Sequence, residues 1–235
     1  MAPPPLRERL RIDAKTSVTL AAAGPAAFRP GVTPALVLAP GAGSDLDTPL
    51  LLALERALAP EILIVRFNFP YREERRGRPN PQNKLEATYA AVLAWLGAHA
   101  ELRPGPLFAG GKSMGGRIAT HLAADGVGAG AGAELAGLVL LGYPLHPAGQ
   151  PARLRAAHLA RIRCPILFIQ GERDALCRLD LLAPVRTGLV APGRLLVIPD
   201  GDHSFKVPKR SGRSMDEITA EICAAVSAFI LGRRS

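Results

Sequence analysis

The sequence predicts an α/β fold, a doubly wound and mostly parallel sheet flanked by helices. Three observations carry this. Short, continuous apolar runs recur along the chain, as expected of strands covered on both faces. Stretches with helical spacing alternate with those runs, which is the order of a parallel sheet with crossover helices. Each run also stops at a Gly-, Pro- or Asp-containing turn, and in such sheets ligands gather beyond the carboxyl ends of the strands.

Residues 1–12 read as a flexible lead-in, because Pro3-Pro4-Pro5 cannot begin a helix or a strand interior. The remainder, 13–235, reads as one domain. Thr16 to Leu20 has the character of an edge strand, and Ala35 to Ala39 that of a buried one, ending at Pro40-Gly41-Ala42-Gly43. Thr48-Pro49 supplies an N-cap and a first-turn proline for a helix from Leu50 to Leu58. Ile62 to Phe67 is a second buried strand, followed by a polar, proline-rich loop to about Asn83 and an amphipathic helix from Lys84 to Ala100. A strand and helix around Ser113 come next, then a soft Gly/Ala linker over Gly126 to Gly132. Leu138 to Leu141, Cys164 to Gln170 and Leu195 to Ile198 complete the strands. A polar helical stretch spans Ala152 to Ala160, and Met215 to Leu231 closes the chain as an amphipathic helix.

Composition narrows the function classes. The chain has 235 residues, 48% of them hydrophobic and 21% charged, an ordinary globular balance with enough length for a substantial core. Its net charge of +9 invites a nucleic-acid reading. The arginines are spread along the chain, however, and 5% aromatics provide no stacking platform, so a solvated basic surface is the better reading. Met1 to Leu10 has no apolar core of the secretory kind and no run approaches a membrane span, which points to a soluble, cytoplasmic protein without a membrane partner. Three scattered cysteines, Cys164, Cys177 and Cys223, fit neither a disulfide framework nor a zinc site. No cofactor or metal is expected. The oligomeric state is left open.

The chemistry concentrates at Gly111-Lys112-Ser113-Met114-Gly115. This fits G-x-S-x-G, a sharp turn from strand to helix that lifts a serine clear of the sheet, with glycines where a side chain would strike its neighbours. Gly111-Lys112-Ser113 also looks like the end of a phosphate loop. That pattern needs a glycine at position 106, which is Pro106, so the loop has the wrong length.

A serine nucleophile needs a base and an acid. Asp174 follows the penultimate strand and His203 the last one, so both arrive at the edge where Ser113 stands, in the chain order serine, acid, histidine. Asp200 and Asp202 are rival acids, but lying beside His203 in one loop they are badly placed to reach its far nitrogen. The amides of Met114 and Ala42 are the candidate oxyanion donors, the first after the nucleophile and the second in the glycine-rich end of an earlier strand. Gly41, Tyr71, Tyr143 and His146 stand at the same strand ends, and Lys112 and Lys206 beside the serine and histidine; these six are candidates for binding substrate. Lys112, Lys206, Arg72, Arg75 and Arg76 would together form a basic rim favouring an anionic small molecule.

With these residues in view, the chain resembles the small lid-less α/β hydrolases related to dienelactone hydrolase, and more specifically the bacterial members of the KANL3/Tex30-like family. The resemblance runs from about Thr33 through Pro40 to Asp45, Phe67 to Tyr71, Gly111 to Arg117, Gly142 to Pro147 and Asp202 to Lys206. It implies the α/β-hydrolase fold without a large lid, and triad positions at Ser113, Asp174 and His203. It implies no substrate, because such families hold hydrolases as well as components of protein complexes. The expected activity is a serine hydrolase acting on small acyl esters or thioesters through an acyl-enzyme. The alternative is a hydrolase-fold scaffold or binding protein without significant turnover.

Overall fold

The computed structural model describes residues 6–128 and 134–232. Pro3-Pro4-Pro5, most of the Gly/Ala linker and Arg233-Arg234 lie outside the described residues. Eight strands form one sheet in the order β1-β2-β4-β3-β5-β6-β7-β8. They are β1 Leu6–Arg11, β2 Ser17–Ala23, β3 Ala35–Ala39, β4 Leu63–Phe67, β5 Leu107–Lys112, β6 Gly137–Leu141, β7 Ile166–Gly171 and β8 Gly193–Ile198. From β4 to β8 every pairing is parallel, while β2 runs antiparallel to both β1 and β4. The helices are α1 Pro49–Leu58, α2 Pro70–Glu73, α3 Gln82–Ala98, α4 Met114–Ala124, α5 Leu179–Thr187 and α6 Met215–Ile230.

The period of two along each strand divides the core into two layers. In β3, Ala35, Val37 and Ala39 join Leu85, Tyr89, Val92 and Leu93 of α3 and Ile118 of α4 on one face. Leu36 and Leu38 join Leu51, Leu54 and Leu58 of α1 and Ile218, Ile222 and Val226 of α6 on the other. This double burial is why β3 to β7 read as unbroken apolar runs. The exception is Arg66 in β4, only 3% exposed, whose guanidinium pairs with Glu55 and Asp47 at 2.9 Å each and also donates to the Leu46 carbonyl. A buried charge is tolerated only with such partners, and here they tie the β3–α1 connection to the sheet.

Three expectations need correction. Residues 6–11 of the expected lead-in form β1, paired along its whole length with β2, so β2 is not the edge strand. The helix expected over Ala152 to Ala160 is reduced to a 3-10 turn, Ala157–Arg161. In the loop after β4, Pro70–Glu73 is helical, and the helix that follows β7 begins at Leu179 with Arg178, not Asp174, at its N-cap. Cys177 and Cys223 are buried and Cys164 is half-buried, all as free thiols. No described helix is long and apolar enough to cross a membrane.

Candidate active site

β5 ends at Lys112, α4 begins at Met114, and Ser113 between them has φ 50° and ψ −112°. A non-glycine residue at positive φ costs on the order of 1–3 kcal/mol and persists only where its surroundings enforce it. Close packing against β3 supplies that enforcement. A Cβ on Gly111 would stand 2.2 Å from the Ala39 carbonyl oxygen, and one on Gly115 would stand 2.3 Å from the same atom. Neither position admits a side chain, so the turn is fixed from both ends.

The three expected triad residues converge. His203 Nε2 lies 2.8 Å from Ser113 Oγ, and His203 Nδ1 lies 2.8 Å from Asp174 Oδ2. The Asp174 side chain is fully buried and the His203 side chain 26% exposed. An ionised carboxylate only accepts, so Nδ1 carries the imidazole proton and Nε2 accepts the serine O–H. The other Asp174 oxygen accepts the Leu176 N–H at 2.8 Å, which fixes the carboxylate plane. The loop after β8 folds against the end of β7: a Cβ on Gly171 would sit 2.3 Å from the Asp202 carbonyl oxygen. Asp202 is spent on that loop, accepting the N–H groups of Ser204 and Lys206 at 2.7 and 2.9 Å. Asp200 faces Arg210 at 3.5 Å. Neither rival acid meets the imidazole.

The two candidate oxyanion donors sit on adjoining segments. Met114 begins α4, and the first amides of a helix have no partner within it. Ala42 is exposed in the loop after β3, which lies against the turn at Ser113; a Cβ on Gly41 would be 3.7 Å from Ser113 Cβ. Tyr71 holds this loop from behind. Its hydroxyl accepts the Gly43 N–H at 3.1 Å and donates to the Gly41 carbonyl at 3.4 Å.

Of the six candidate binding residues, four have polar side-chain atoms bonded to the protein backbone, and three of those four are buried. Tyr71 and Tyr143 are fully buried and His146 is 2% exposed. The Tyr143 hydroxyl donates to the Arg155 carbonyl at 2.7 Å, and His146 Nε2 accepts the Arg178 N–H at 3.2 Å. Lys112 is not on a rim either. Its Nζ donates to the His203 carbonyl at 2.7 Å, and burial pulls its pKa down to about 8, against the opposing pull of Asp174 and Asp202. Gly41 borders the serine, and Lys206 is exposed. Sequence reasoning missed the side-chain amides that brace these turns, one buried and one half-buried. Gln170 exchanges two hydrogen bonds with the Tyr143 backbone, at 2.8 and 2.9 Å, and Asn68 accepts the Leu46 N–H at 2.8 Å. A polar residue at the end of an apolar run was the available signal at both positions.

Residues 32–231 match the model of the alpha/beta hydrolase domain. The chain belongs to that family. Solved α/β hydrolases share its fold closely. An α/β serine hydrolase without lid from Xanthomonas campestris aligns at 20% identity over 97% of this chain and 96% of its own, with a TM-score of 0.68. Dienelactone hydrolase from Anabaena variabilis aligns at 18% identity over 97% and 98%, with a TM-score of 0.71. Thermogutta terrifontis esterase 2, in a structure phosphoramylated by tabun, aligns at 15% identity over 96% and 94%, with a TM-score of 0.72.

Proposed function

We propose that this α/β hydrolase is a serine hydrolase that cleaves small acyl esters or thioesters through an acyl-enzyme on Ser113. The observation that carries the reading is the unbroken chain Ser113 Oγ, His203 Nε2, His203 Nδ1, Asp174 Oδ2, with both links at 2.8 Å. In the first half-reaction Ser113 Oγ bonds to the substrate carbonyl carbon while its proton passes to His203 Nε2. Asp174 stabilises the resulting imidazolium, and the Met114 and Ala42 amides stabilise the oxyanion. Collapse breaks the bond to the leaving group, which takes the proton from Nε2. Water then attacks the acyl-enzyme with His203 as base, releasing the acid and restoring Ser113.

A small, accessible substrate is supported by the connection between β6 and β7, whose described residues hold one 3-10 turn and no lid. The named similarity to a lid-less hydrolase and to dienelactone hydrolase fits this, and the Gly111 to Arg117 and Gly142 to Pro147 motifs favour the KANL3/Tex30-like branch.

A fluorophosphonate probe should label the wild-type protein at Ser113, and the Ser113→Ala protein should not label. Labelling that survives the substitution removes Ser113 as nucleophile. A panel of short p-nitrophenyl esters separates the enzyme from a scaffold with the same fold: the enzyme turns over at least one of them in a manner abolished by Ser113→Ala and by His203→Ala.

A further inference from the structure

Lys112 immediately precedes the proposed nucleophile, and its half-buried side chain is turned onto the protein rather than extended from it. It crosses from the end of β5 to the loop after β8 and donates to the backbone carbonyl of His203 at 2.7 Å, a contact between residues 91 apart in sequence. Four further observations surround it. Its Nζ lies 5.5 Å from the centre of the Phe205 ring, in cation–π range. Phe205 is 1% exposed and has φ 64°, a left-handed conformation that a bulky residue adopts only when held there. At the end of β6, Gly142 leaves the space the lysine fills: a Cβ there would be 2.9 Å from Nζ and 3.1 Å from the His203 carbonyl oxygen. The stem also packs beside the oxyanion loop, with its Cγ 3.6 Å from where a Gly41 Cβ would stand.

We infer that Lys112 is a positioning residue for the base: it clamps the turn bearing His203 onto the strand bearing Ser113, so that the imidazole stays in register with the hydroxyl. The inference rests on the serine-hydrolase reading above. Its physical basis is simple. The imidazole is anchored on one side by Asp174, while the backbone of its loop is tied to the turn after β7 two residues earlier, where the Arg173 N–H donates to the Gly201 carbonyl at 2.7 Å. A charge-assisted hydrogen bond to the His203 carbonyl is about twice as strong as a neutral one and fixes the backbone directly beneath the ring. A small displacement of the ring would be felt in the rate, since a misplacement of about 1 Å can cost around 10²-fold.

The clamp has its own pH dependence. The charged and titratable groups around Nζ are Asp174 and Asp202, which favour the ammonium, and His203 and Ser113, whose loop and turn it joins; Phe205 and Gly142 complete the shell. Burial outweighs the two carboxylates, so the ammonium is lost as pH rises through about 8. The neutral amine remains a donor but loses the charge-assisted bond and the cation–π contact. Activity should therefore fall on the alkaline side as pH rises through about 8.

The test is steady-state hydrolysis of a short p-nitrophenyl ester between pH 6 and 10 by the wild type, Lys112→Met and Lys112→Arg, with circular dichroism and thermal melting at each pH. Lys112→Met keeps the stem and removes the charge. Its kcat should fall by about 10- to 100-fold with KM within about threefold of wild type, and its profile should be flat across pH 8, where the wild type declines. Lys112→Arg keeps a charge that does not titrate in this range, and should recover most of the rate while lacking the alkaline decline. A Lys112→Met protein with wild-type kcat overturns the inference. So does one that loses rate but keeps the wild-type decline, or a failure of both variants to fold, which would make Lys112 a structural residue only. A wild type without Ser113-dependent turnover overturns the hydrolase reading itself, and this inference with it.

Discussion

The hydroxyl of Tyr71 spans the two glycines on either side of Ala42, accepting from Gly43 and donating to Gly41. Its own backbone N–H is held by Asn80 at 2.8 Å, so the ring enters the loop from a fixed base. The amide of Ala42 lies between the stapled positions and is aimed only as well as they are held. Tyr71→Phe removes the staple and keeps the buried ring, which preserves most of the packing. A net hydrogen bond is worth about 1 kcal/mol and two are lost, so stability should fall by no more than about 2 kcal/mol. The rate should fall further than stability implies. We expect kcat on a short ester to drop about tenfold with little change in KM, less than the 10²- to 10³-fold seen when an oxyanion donor is removed outright. Steady-state kinetics beside a urea unfolding curve check both parts, and an unchanged kcat would mean the loop holds Ala42 without Tyr71. The residue scale is also where the sequence was least informative about roles. Tyr71, Lys112, Tyr143 and His146 stood out because they flank strand ends, and they do; but their partners are backbone atoms distant in the chain, which no local pattern encodes.

At the scale of elements, α4 and the 3-10 turn Ala157–Arg161 meet through two stacked histidines. The rings of His121 and His158 lie 4.0 Å apart at 9° to one another. Thr120 Oγ1 is 2.8 Å from His158 Nε2, and Arg117 Nη1 is 3.2 Å from His121 Nε2. Burial, then the neighbouring His121 and Arg117, pulls the His158 pKa down to about 4, and burial with Arg117 lowers that of His121. Both folded values lie below the unfolded one, so the unfolded chain binds more protons in the interval between. Stability from this contact is therefore full above about pH 6.5 and is lost as pH falls from there toward about 4. The urea midpoint should decline more steeply across that interval in the wild type than in His158→Gln, and parallel declines would remove the pair as the cause. Legibility follows the same physics of burial. β3 to β7 were readable because each is dry on both faces. β1 was not, because its burial alternates and Arg7, Arg9 and Arg11 interrupt any apolar run. α5 carries Pro184 in its interior and buries only Leu182, so it gave no periodic stripe. The proposed triad was readable for a different reason: a strand-to-helix serine turn and the ends of the last two strands define one sheet edge, whatever the helices between them do.

For the whole molecule the open question is the net charge of +9 and whether the site uses it. Much of the basic rim expected from sequence is already engaged. Lys112 is turned inward onto His203, Arg72 faces Asp45 at 3.7 Å, and Arg76 pairs with Glu74 at 2.8 Å. Of the five rim residues, Arg75 and Lys206 have no ion pair among the described residues, and Lys206 lies three positions past the proposed base. Local recognition of an anion is thereby reduced to one or two side chains, while the long-range field of the excess charge remains. Such a field acts on encounter and is screened beyond about 8 Å at physiological salt. Monoesters of dicarboxylic acids should therefore show a higher kcat/KM than neutral esters of equal length, by no more than about tenfold, the low end of electrostatic steering. The difference should reside in KM and the association rate, and should shrink toward unity as sodium chloride is raised. Lys206→Glu separates the near contribution from the distant one. If Lys206 contacts the carboxylate, the substitution abolishes the preference even at low salt; if the field alone acts, it trims the preference in proportion to the charge removed. Equal rates for the two ester series at low salt would leave the excess charge without a part in substrate choice, and selection would rest on acyl shape at the open face beside Gly41 and Ser113.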